Sequence, residues 1–365
     1  MKWVLGGSSE YWMIPPLKYF RALEVASITR FPENLAQSSV TFTLLVLSCY
    51  IGEYTTMQFM KLETDISIYK KATEINSADP EAYNNLGVAY GNQGKLDEAV
   101  AAFQSALAIT PDHAMVYNNL GNAYARQGKS DEAITAYQKA IEIDPNHTMA
   151  YYNLGIVYGH QGKSDEAITA YQKAIEIDPN HTEAYSNLGI VYGNQGQLDE
   201  AITAHQKAIE IDPNPSISHY QLGIVYGNQG QLDEAITAYQ KAIEIDPNHT
   251  EAYSNLGIVY GNQGQLDEAI TAYQKTIEID PNHIMAHYNL GILYGKQREL
   301  DKAVSTLQKV IKIDPDHIKA YYNLGVLYGN QGQLDKAIFA LQKVIEIDPS
   351  HDTAHEVLQM LKERS

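Results

Sequence analysis

Apolar residues recur along most of the chain on a helical spacing rather than an alternating one. Tyr253, Leu256, Gly257 and Tyr260 are three, one and three residues apart, which places them on one face of a helix. Ala269, Tyr273, Thr276 and Ile277 form a second stripe of the same kind. Between the stripes, Asn262-Gln263-Gly264 reads as a helix stop, its glycine free to take the left-handed conformation at a C-terminus. Asp267 and Glu268 open the second helix, where carboxylates meet unpaired amides and the positive end of the helix dipole. Asp280-Pro281 closes it, because a residue before proline is pushed out of the helical region.

This two-helix pattern recurs every 34 residues. Prolines 111, 145, 179, 213, 247, 281, 315 and 349 keep that spacing without a slip, so eight units cover 80–351. Counting Pro80 as position 1, each unit has Leu-Gly at positions 7 and 8, Tyr at 11 and Ala at 20. Position 24 holds Phe103, Tyr137, Tyr171, His205, Tyr239, Tyr273, Leu307 and Leu341. The segments 183–207 and 251–275 are identical except for His205 against Tyr273. Glycine inside a helix costs roughly 1 kcal/mol relative to alanine. The glycine at position 8 is therefore expected where the two helices nearly touch, opposite the small alanine at position 20. A second glycine, at position 12, weakens the first helix further, so stability has to come from stacking each pair on its neighbours.

These motifs resemble the tetratricopeptide repeat, a 34-residue helix-turn-helix unit with aromatic-x-x-Leu-Gly-x-x-Tyr, Ala-x-x-x-aromatic and a closing proline. The resemblance covers 80–351 and implies an all-α, right-handed α-solenoid, a superhelix of tandem units. Departures are local: Arg298 replaces the interhelix glycine of the seventh unit, Pro215 the terminal His of the fourth, and Leu307 and Leu341 the aromatic residue. The Arg298 turn is the one placed in question.

Outside the units the chain is uneven. Residues 352–365 carry one apolar stripe, Ala354, Val357, Leu358 and Leu361, expected to form a C-terminal capping helix. Tyr69 and Ala72 lie 34 before Phe103 and Ala106, so 57–79 reads as a degenerate half repeat or N-terminal cap. Residues 1–56 do not fit the repeat. They include the lone cysteine, Cys49, which rules out an intrachain disulfide. They also include an uncharged stretch at 35–52, short of comfortable for a bilayer core of ~30 Å and diluted by serine and threonine. That stretch is open to three readings: a membrane anchor, apolar helices covering the first unit, or a start assigned too early, Met60 being the natural beginning of a repeat protein. The expected location is cytoplasmic, with membrane anchoring through 35–52 as the alternative.

In the family, the first helix of each unit lines the concave surface, and the resemblance implies that positions 2, 5, 6, 9, 12 and 13 point into it. Position 6 is a carboxamide throughout: Asn85, Asn119, Asn153, Asn187, Gln221, Asn255, Asn289 and Asn323. Such a group offers donors and an acceptor and can bond a peptide backbone whatever its side chains. The row is similar to the asparagine ladder of the repeat region of O-linked N-acetylglucosamine transferases. Its other possible use is a bond to the neighbouring helix. With Tyr152, Tyr220, Tyr288 and Tyr322 at position 5, and with Lys296 and Lys319 balancing the glutamates of the lining, the expected groove is polar and near neutral.

The formal charge of −18 falls mainly on second helices and turns, which excludes nucleic acid, whose binding requires a basic track. A clamp for chaperone carboxylate tails resembles a pattern of which only Asn122 and Lys319 are present. One histidine per unit at position 34, from His113 to His351, gives no cluster of metal ligands and reads as a turn residue opening the next helix. The Asp-Glu pairs have no nucleophile beside them, and Tyr-Gly-Asn-Gln-Gly lacks the Lys-Ser/Thr of a phosphate loop. Asn146, Asn180 and Asn248 match the glycosylation acceptor pattern, attributed here to repeat chemistry. The expected protein is a non-enzymatic scaffold, without metal, cofactor or small-molecule substrate, holding an extended peptide or partner segment in its groove. The alternative is the recruiting arm of a glycosyltransferase whose catalytic domain lies elsewhere, since the capped chain leaves no room for one.

Overall fold

The computed structural model describes residues 65–214 and 216–363. The readings placed on 1–56, including the stretch 35–52, lie outside these residues. Among the described residues all regular structure is helical, and no helix is long and apolar enough to cross a membrane. The chain divides into two compact units, Met1–Ser77 and Ala78–Ser365. Within the first, residues 65–75 are helical, with Ile66 buried.

The second unit is a run of eight helix pairs. The first pair is Pro80–Asn92 and Leu96–Ile109, the fourth Thr182–Asn194 and Leu198–Ile211, the fifth Ser216–Asn228 and Leu232–Ile245, and the eighth Ile318–Asn330 and Leu334–Ile347. Each helix packs most heavily on its pair mate, and each second helix next on the first helix that follows it. Successive first helices also approach one another across most of the run, to an extent that successive second helices do not. The first helices therefore take the inner side of the curvature within this unit, an α-solenoid. A last helix, Asp352–Lys362, lays Ala354, Leu358 and Leu361 on the eighth pair.

Each boundary in the sequence has a local cause. The turn within a pair places Gly264 at φ 77°, and the Gln265 amide donates to the Tyr260 carbonyl at 2.9 Å, which ties off the first helix. At Asp178 the chain turns extended, and the Asp178 side chain accepts from the Asn180 amide at 3.0 Å. His181 then caps the next helix, its Nδ1 accepting from the Ala184 amide at 3.4 Å. The same cap is made by His147, His249, His283, His317 and His351. Asp-Pro-Asn-His is thus both the stop of one pair and the start of the next.

Two expectations about glycine and its replacement change. At position 8 the glycine faces the position 24 side chain first, and the alanine at 20 comes near it only through its carbonyl at Gly291 and Gly325. A Cβ on Gly121 would lie 2.5 Å from the Tyr137 ring, and one on Gly257 would lie 2.9 Å from that of Tyr273. The aromatic side chain lies against bare backbone, a fit that spacing alone cannot distinguish from helix–helix contact. At Arg298 the turn survives: φ is 62°, and Glu299 still donates to the Tyr294 carbonyl at 2.9 Å.

The apolar clusters do not belong to single pairs. Ala167, Tyr171 and Ala174 of the third pair pack with Ala184, Leu188 and Val191 of the fourth. Equivalent sets join the first pair to the second and the fifth to the sixth. Hydrogen bonds follow the same rule. Gln195 donates back to Asp165 at 2.9 Å and Gln172 donates forward to the Tyr192 hydroxyl at 2.9 Å, and both bonds recur at each junction from the first to the seventh.

Candidate functional site

The inner face of the first helices carries the residues singled out by the sequence, and it brings position 6 of one pair against position 5 of the pair before. Asn187 Nδ2 donates to the Tyr152 hydroxyl at 3.2 Å, Asn255 to Tyr220 at 3.3 Å and Asn323 to Tyr288 at 3.1 Å. Where position 5 is asparagine, Asn119 donates to Asn84 and Asn153 to Asn118, each at 3.0 Å. Position 5 of the sixth pair is a serine, and Asn289 turns instead to the Tyr273 hydroxyl at 3.1 Å. The carboxamides therefore link neighbouring pairs.

That link leaves capacity over. Among the described residues no hydrogen bond reaches Oδ1 of Asn119, Asn153, Asn187, Asn255, Asn289 or Asn323, while Asn323 makes a second contact through its N–H groups, to the Lys319 carbonyl at 2.9 Å, and Asn187 and Asn255 make one each, to the Tyr171 and Tyr239 hydroxyls. Asn85 and Gln221 are half-buried on the same face, and Gln221 makes no side-chain hydrogen bond within the described residues. A primary amide has two donors and an acceptor, so each of these rungs keeps at least its oxygen to meet a second polar chain.

The position 5 tyrosines are wedged between pairs rather than presented outward. Tyr152 is buried, its ring 4.7 Å from that of the capping His181, and Tyr220 stands 4.6 Å from His249. Tyr288 and Tyr322 are half-buried against His317 and His351. Burial, with Glu183 adding to it, pushes the Tyr152 phenol up to about 12. Glu183 itself is held below the usual carboxylate range, first by the adjacent His181 imidazole. Lys296 and Lys319 are exposed, at position 13 of the seventh pair and position 2 of the eighth.

Two rows that the family resemblance places on this face were not read there for their chemistry. Position 9 is aliphatic in seven of the eight pairs, and Val88, Ile258 and Val326 are exposed there, as are Met115, Met149, Ile217 and Met285 at position 2. The face is therefore more apolar than its amides and charges alone suggest. Position 13 is the second row: Asn92, Asn194, Asn228, Asn262 and Asn330 are exposed, with no side-chain hydrogen bond among the described residues. The signal was present in the repeated Tyr-Gly-Asn-Gln-Gly, but the asparagine was absorbed into the turn that follows it. Two amide rows thus flank an aliphatic one. Among the described residues no three His, Cys, Asp or Glu side chains gather in a metal-binding group.

A family model described as Tetratricopeptide repeat matches residues 79–146, and one described as Cilia and flagella-associated protein 70 C-terminal domain matches 146–360. The chain belongs to the tetratricopeptide repeat family. Proteins of this family are in general non-catalytic scaffolds that bind protein or peptide partners. Similar solved tetratricopeptide structures include YrrB, described as having an unusual peptide-binding site. It is 29% identical, with 54% of this chain and 99% of that one covered and a TM-score of 0.46. MamA is 34% identical over 44% of this chain and 95% of its own, with a TM-score of 0.43. MamA from Desulfovibrio magneticus RS-1 is 25% identical over 47% and 96%, with a TM-score of 0.44. No curated protein matches the chain.

Proposed function

We propose that this tetratricopeptide repeat protein is a non-enzymatic scaffold that holds an extended peptide segment along its first helices. The observation that supports the reading is the paired amide rows. Position 6 keeps its oxygen after joining the pairs, and position 13 keeps its whole carboxamide, on either side of the aliphatic row at position 9. An extended chain presents N–H and C=O groups along both flanks and side chains toward the floor, which matches amide, aliphatic and amide in that order. Lys296 and Lys319 favour an acidic residue of the occupant at the C-terminal end. The net charge of −18 disfavours nucleic acid on the same face.

Selection of linear peptides from a random displayed library on the immobilised full chain supplies the probe. Replacing Asn194, Asn228 and Asn262 together with alanine is expected to weaken the selected peptides at least tenfold, with the thermal midpoint moving by no more than about 1 °C, because these side chains make no internal bond. Peptides that bind the triple variant as tightly as the parent would overturn the reading.

A further inference from the structure

One junction in the run is built differently from the rest. Apolar clusters bridge the first pair to the second, second to third, third to fourth, fifth to sixth, sixth to seventh and seventh to eighth. Between the fourth and the fifth, Ala201, Ala204, Ala208, Leu222 and Val225 are buried as elsewhere, but the side chain at position 24 is polar. His205 stands there where other pairs place an aromatic or aliphatic side chain. It is 0% exposed, lies on Gly189 (an added Cβ would be 2.7 Å from Nε2), and neither ring nitrogen has a hydrogen-bond partner. A buried polar atom without a partner costs free energy that an apolar ring would not.

The devices that couple other pairs are altered at the same place. The sequence has Pro215 instead of the capping histidine, and a proline has neither an N–H nor a side-chain acceptor to offer. Gln221 replaces the asparagine rung and bonds nothing within the described residues, while a Ser186–Ser218 hydroxyl pair at 2.5 Å stands in. Gln206 to Tyr226 and Gln229 to Asp199 remain.

We infer that the junction between the fourth and fifth helix pairs is an acid-sensitive break point, at which protonation of His205 uncouples the two halves of the run. The charged ring has no counter-ion to meet. The first helix of its own pair carries Glu183, Tyr185 and Tyr192, its own helix Asp199, Glu200, Lys207 and Glu210, and the first helix of the next pair His219, Tyr220 and Tyr226. None of them hydrogen-bonds either nitrogen, and burial alone holds the imidazole down to about 4, against an ordinary 6.5. His219 is also held below its ordinary range, first by burial. The sign is that of a depressed base: between 6.5 and about 4 the open junction binds the proton that the closed one refuses, so closure is fully favoured above 6.5 and weakens as pH falls.

Hydrogen exchange of the full chain at pH 7.5 and pH 5.0, corrected for the chemical exchange rate, tests this. Protection across 182–228 is expected to fall roughly thirtyfold at pH 5.0, from the ordinary and lowered values just given, while 130–177 and 250–279 hold. His205→Tyr and His205→Phe should each abolish the loss, since tyrosine and phenylalanine already occupy the equivalent position elsewhere. Retained protection at pH 5.0, a loss spread evenly over all pairs, or the same loss in both variants would each sink the inference.

Discussion

Gly257 and Gly261 sit one turn apart on the same helix and face opposite consequences. An alanine methyl at 257 would press on the Tyr273 ring at 2.9 Å, whereas nothing lies within 4 Å of one at 261. Gly257→Ala is therefore expected to destabilise by about 1–3 kcal/mol through overpacking, and Gly261→Ala to stabilise by about 1 kcal/mol through helix propensity. Urea midpoints of the two variants would show shifts of opposite sign. Arg298 is the residue-scale exception, the one non-glycine described at positive φ. Arg298→Gly should raise the thermal midpoint, worth about 1 kcal/mol, by relieving a left-handed conformation that costs a side chain roughly that much. The sequence could mark these positions as unusual. It could not say which glycine is packed and which is free, because that depends on where a ring sixteen residues later comes to rest.

Helices and turns were the most legible level. Their limits follow from residues whose effects are local: the Gly264 turn, the acidic first turn at Asp267 and Glu268, and the Asp280-Pro281 stop. The less legible part was double duty. Asp165 opens a helix and also accepts from Gln195, and Tyr192 fills a stripe while its hydroxyl accepts from Gln172. Asn187 lines a face and also ties its helix to Tyr152. Bonds between residues 20, 30 or 35 apart depend on how pairs stack, which a single unit's spacing does not encode. The position 6 amides should consequently show a structural role. Replacing Asn153, Asn187 and Asn255 with alanine is expected to cost about 1 kcal/mol per removed bond, read as a lowered urea midpoint. A triple variant with an unchanged midpoint would show that these bonds contribute nothing.

Within Ala78–Ser365, stability is distributed over junctions. Because Tyr171 and Ala174 are covered by Leu188 and Val191 of the following pair, a single excised pair has little to bury. A peptide spanning 250–283 should show weak helicity by circular dichroism and no cooperative melt. The period, and with it the solenoid, was readable because eight copies reinforce one pattern. The inner face was readable only in part: Asn153 and its equivalents stood out by repetition, whereas Ile258 was placed on the face without its apolar character being drawn and Asn262 was absorbed into a turn. Repetition also concealed the odd junction. His205 looked like one more variant at an aromatic position until the structure showed both ring nitrogens buried and unpartnered.

The uniform register of the connecting bonds carries a further implication. From the second pair on, each pair reaches back with one glutamine, and up to the seventh each reaches forward with another, so these two bonds would re-form wherever one pair is set against another. Deleting or duplicating 34 residues away from the fourth–fifth junction would preserve both of these bonds. The length of such a polymer can therefore drift in whole steps, so that reach, rather than shape, is the quantity most open to change.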